Sequence, residues 1–141
     1  MLGSPLARAT LAVVAAHVLH DLDHVRQGRP ASATVSAVAV LAWLATIVLV
    51  VLVARRHRLA SLYATVFGAT FALGFILVHA LPHWSALSDS YGDAGVDALS
   101  WLLAGIPLVA GLLLGVRGLQ AMQRGAPPVP TSRVAAQRPN G

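Results

Sequence analysis

Cysteine, lysine and glutamate are all missing from these 141 residues. Without cysteine there is no disulfide, no thiolate nucleophile and no sulfur-ligated metal, so any metal bound within the chain must rely on imidazole and carboxylate. Charge of either sign is scarce: 11% of residues are charged, against about 25% in soluble domains. Hydrophobic residues make up 57% of the chain and the mean hydropathy is +0.72. That balance belongs in lipid, and the partner it implies is the bilayer. The ten basic residues are all arginines and give a net charge of +5. They punctuate the ends of apolar runs instead of forming the basic face of a soluble fold, which argues against nucleic acid. No glycine-rich phosphate loop and no recognisable serine or threonine nucleophile motif is present.

What is there in abundance is apolar sequence in long runs. A membrane span needs about 20 such residues. Three stretches meet that length: 31–54, 59–81 and 97–117. They are apolar around the whole circumference, whereas a soluble helix keeps a polar stripe. A fourth span is expected over about 6–25, although it must carry Asp21 and several histidines. Its rival is a secretory signal peptide cut after Ala16, for which the apolar stretch is short. The expected fold is therefore all-α, an integral membrane four-helix bundle. Residues 1–118 form the transmembrane domain. Residues 119–141, rich in proline and polar groups, form a disordered cytoplasmic tail. Pro107 is expected to kink the fourth span. Gly111 and Gly115 form a small-xxx-small pattern suited to close helix contact. Trp84, Tyr91 and Trp101 are expected in an interfacial aromatic belt.

Orientation follows from the arginines. Eight of them (residues 8, 55, 56, 58, 117, 124, 133 and 138) flank one side of the expected bundle, and only Arg26 and Arg29 flank the other. Both termini are thus expected in the cytoplasm, for a multi-pass protein of the plasma membrane. All five acids, Asp21, Asp23, Asp89, Asp93 and Asp97, then fall on the outer side, together with every histidine except His57.

The residues that suggest chemistry are these histidines. His17, His20, Asp21 and His24 follow i, i+3, i+4, i+7 spacing, which on a helix makes one stripe. A polar stripe facing lipid is costly, so it should turn into the bundle. His79 and His83 stand at i, i+4, a spacing that stacks two imidazoles on a continuing helix, with Pro82 between them as a threat to that helix. First and third spans run parallel, so their carboxy-terminal ends share a leaflet. The candidate metal ligands are His17, His20, Asp21, His24, His79 and His83, for zinc, copper or iron. Asp21 and Asp97 are the candidate proton acceptors in metal-assisted chemistry on a lipid-soluble or extracytoplasmic substrate; handling of the metal itself is the other use. Asp93 and Asp97 also suit the amino end of the last span. Two alternatives stand beside this reading. One is a haem-binding electron-transfer subunit with one histidine from each of two helices. The other is a non-enzymatic subunit or small transporter whose histidines pack or sense pH. A second copy or a membrane partner subunit is a further expected contact.

Overall fold

The computed structural model of the chain describes residues 3–29 and 31–125. The chain is all-helical among these residues: α1 (Pro5–Gln27), α2 (Ala33–Ala54), α3 (Ala60–Phe75) running into a π-helical turn (Ile76–Ala80), the short α4 (Tyr91–Ala94), and α5 (Ala98–Gly125). Local sequence sets the ends. Ser4 accepts a hydrogen bond from the Ala7 amide and Pro5 opens α1, while Gly28, at φ 62°, closes it in the left-handed region that glycine adopts without strain. Ser32 caps α2 in the same way through the Val35 amide.

The third helix stops for a stated reason. A residue before proline is pushed out of the helical region, and Leu81, preceding Pro82, is extended at ψ 149°. The helix therefore ends at Ala80, and His83 does not continue it. This corrects the expected stacking of His79 and His83 on one helical face. At the other end of the molecule α5 carries on through Pro107 to Gly125, beyond the residue where the sequence suggests that the tail begins. The rest of that tail, 126–141, lies outside the described residues.

Packing is uneven. Helix α3 lies most closely on α5, α1 lies along α5, and α2 touches α1 and α3 only loosely. The α3–α5 approach depends on glycine. A Cβ added at Gly68 would sit 2.5 Å from both the Gly111 oxygen and the Gly115 nitrogen, and one at Gly118 would sit 2.7 Å from the Ser61 oxygen. The Gly111–Gly115 pattern is thus used inside the bundle. Val13, Ala16, Leu49, Ala64, Phe67, Phe71, Ala110 and Leu114 form the core.

The remaining surface is apolar to an unusual degree. Helices Ala33–Ala54, Ala60–Ala80 and Ala98–Gly125 are each long and apolar enough to cross a membrane, and only 11% of the α2 window is buried within the molecule. Large apolar side chains left outward over whole helices are what a lipid solvent requires.

The carboxy-terminal end of α1 and the amino end of α5 are tied by polar groups. Asp23, buried, accepts from Arg26 at 2.7 Å and from Gln27 at 2.6 Å. Arg26 then reaches both carboxylate oxygens of Asp97 at 2.9 Å and the Ser100 hydroxyl at 2.8 Å. These contacts join the last turn of α1, which also carries His24, to the start of α5.

Candidate metal centre

The α1 stripe meets the end of α3 as the parallel topology requires. His20, His24 and His79 each offer a ligand atom within 4.8 Å of the other two. Ring centroids are 4.7 Å apart for His20–His24, 4.8 Å for His20–His79 and 5.5 Å for His24–His79. His20 and His79 are buried, and His24 is partly open. The π turn that carries His79 is a form often found at functional positions.

Hydrogen bonding decides which nitrogens are free. His79 Nδ1 lies 3.1 Å from the backbone oxygen of Asp89. A carbonyl only accepts, so Nδ1 carries the proton and Nε2 keeps its lone pair. The Asp89 carboxylate stands 3.8 Å from Nδ1 of both His24 and His79, and is itself held by Arg29 at 3.2 Å. Histidines that bind metal ordinarily give their second N–H to such a carbonyl or carboxylate. His24 Nε2 faces His20 Nε2 at 3.1 Å. Two nitrogens on a tetrahedral zinc, each about 2.0–2.1 Å from it, are about 3.3 Å apart. The observed pair already has nearly that spacing. His20 differs from the other two in that its Nδ1 is buried with no partner.

Tyr91 is the residue that sequence reasoning misplaces. Expected in an aromatic belt, it is instead completely buried, with its ring 4.6 Å from that of His79 and its hydroxyl 3.5 Å from His24 Nε2. Burial pushes its phenol up to about 12, so it stays protonated beside the imidazoles. Trp84 and Trp101 are exposed, as a belt residue would be. Asp89 receives no site role from the sequence, because it lies in a loop with no periodicity to aim it.

The other candidates fall elsewhere. His17 is buried against Trp43, with ring planes 5° apart and centroids at 4.2 Å, and its Nδ1 has no partner. Asp21 accepts the indole N–H of Trp43 at 2.6 Å. His83 is exposed and donates its backbone N–H to Asp93 at 2.8 Å. Asp97 is engaged by Arg26, whose hydrogen bonds hold its carboxyl well below the usual carboxylate range, and it caps α5 through the Ser100 amide at 2.9 Å. Of the six candidate ligands, three converge; His17 and Asp21 line an adjoining cavity and His83 lies outside. The three imidazoles meet side by side, an arrangement suited to an ion, and nothing in it indicates a haem.

Comparison with known proteins finds no matching family model, no similar curated protein and no similar solved structure.

Proposed function

We propose that this chain is a four-span protein of the plasma membrane, both termini cytoplasmic, that binds one transition-metal ion through His20, His24 and His79 at the outer boundary. The observation that carries the reading is the convergence of three imidazoles from two helices, each with a ligand atom within 4.8 Å of the other two. Helix α1 supports the fourth span: its 23 residues reach about 34 Å, and it runs beside α5. The arginine distribution supports the orientation.

Three protein ligands leave a position open, the arrangement of a catalytic rather than a structural site. Imidazole ligands suit zinc, copper or iron. The metal supplies polarisation of an oxygen or activation of water. The chain supplies Tyr91 as a neutral hydrogen-bonding group next to His24 and Asp21 as the proton acceptor on the adjoining wall. Asp97, sequestered by Arg26, is left with a structural task. Metal handling uses the same three ligands without those two groups.

Elemental analysis of detergent-purified protein tests the reading. The wild type should hold about one equivalent of metal. His20→Ala, His24→Ala and His79→Ala should each lose it, while His17→Ala and His83→Ala keep it. Metal near zero in the wild type, or equal retention in all five variants, overturns the assignment.

A further inference from the structure

Beside the three histidines lies a cavity of about 570 Å³ between α1, α2 and α3. Its volume is that of a site for one small molecule. Its walls are of two kinds. Helix α1 presents His17 and Asp21 together with His20 and His24 of the centre, and His79 closes the same end. The α2 and α3 walls are mostly apolar, with small residues at Ala39, Ala42 and Ala45 on α2 and Gly74 on α3, and with Phe67, Phe71 and Phe75 among the larger ones. A Cβ added at Gly74 would meet nothing within 4 Å, so the space there is open. Along α3 the lining runs from Phe67 to His79, about 18 Å at helical rise. The cavity is therefore long and mostly apolar on its α2 and α3 walls. It is polar along the α1 wall from His17 to His24, about 10 Å at helical rise, with His79 at the same end as His24. The loosely held α2 forms its side toward the apolar exterior.

We infer that the substrate of this centre is a membrane-borne amphiphile with a single long apolar chain, which lies between α2 and α3 and brings a small polar end to the histidines. This rests on the metal reading above and gives it a substrate class. An apolar chain of that length fits alongside Phe67, Phe71 and the alanines. A hydroxyl or carbonyl end meets the polar wall instead, where Asp21 and the imidazoles provide its partners. An ionic or sugar-like substrate from the aqueous side would leave the long apolar section unused.

The test uses the full chain in phosphatidylcholine nanodiscs with a diazirine-bearing hexadecanol as probe. Adducts are mapped by peptide mass spectrometry, and metal is measured on the same preparation. Adducts should concentrate on the α2 and α3 residues of the cavity. Gly74→Phe should cut them at least tenfold while metal content is kept, and Val40→Phe, on the exposed side of α2, should leave them unchanged. Ala42→Leu serves as a second filling variant if Gly74→Phe does not fold. Adducts spread evenly over the outward faces of α2 and α5, or indifferent to both fillings, overturn the inference. So does disulfide cross-linking between Ala42→Cys chains in the membrane, which would mean that a second copy fills the space. Metal absent from the wild type with adducts still confined to the cavity overturns the metal reading and leaves an amphiphile site alone.

Discussion

Tyr91 shows how much one side chain's role depends on where the chain returns it. A tyrosine just ahead of an apolar run reads as an interfacial anchor, yet here its hydroxyl reaches His24. The phenol ordinarily ionises near 10, and burial raises this to about 12. A pKa raised on folding stabilises the native state fully below the unfolded value and loses that contribution as pH rises through the folded one. Stability should accordingly fall between pH 10 and pH 12, and less steeply in Tyr91→Phe. In the ultraviolet titration, the phenolate absorbance lost in that variant should have its midpoint near 12. A midpoint near 10 would mean that the hydroxyl is open to water.

At the scale of helices, four glycines, Gly68, Gly111, Gly115 and Gly118, line the α3–α5 contact, and three of them show how unequal their tolerance is. Alanine in place of glycine within a helix gains up to about 1 kcal/mol of intrinsic propensity. Overpacking a close contact costs about 1–3 kcal/mol. At Gly68 and Gly118 the added carbon meets backbone at 2.5 and 2.7 Å, so the clash outweighs the gain. At Gly115 its nearest neighbour is the Thr65 oxygen at 3.5 Å, an ordinary contact. Gly68→Ala and Gly118→Ala should lower the thermal midpoint in detergent, with Gly115→Ala neutral or slightly stabilising. Equal losses at all three would contradict the close approach at Gly68. Pro82 acts at this scale as well: by ending α3 it takes His83 away from His79, which helical spacing alone would have paired.

For the whole molecule, the proposed orientation places the α2–α3 loop in the cytoplasm and the loop between α3 and α4 outside. The lack of cysteine makes this directly measurable, since one introduced thiol is the only one in the chain. A membrane-impermeant maleimide applied to intact cells should label Ala86→Cys and spare His57→Cys. The reverse pattern would invert the molecule and move the histidine centre to the cytoplasmic leaflet.

Composition and the length of the apolar runs were enough to determine an all-helical chain with helices fit for a membrane, because a backbone in hydrocarbon must satisfy its hydrogen bonds within each segment. Periodicity likewise gathered His17, His20, Asp21 and His24 on one side of α1, because their spacing is a property of the helix itself. Which of them meet His79 was decided only by the tertiary structure. The packing of α1 along α5, with Arg26 meeting Asp97 at its end, brings His20 and His24 to the π turn and leaves His17 and Asp21 to Trp43. Asp89 and Tyr91 join the centre from a loop and a single helical turn, where no repeat in the sequence encodes direction, so their positions exist only once the helices have packed.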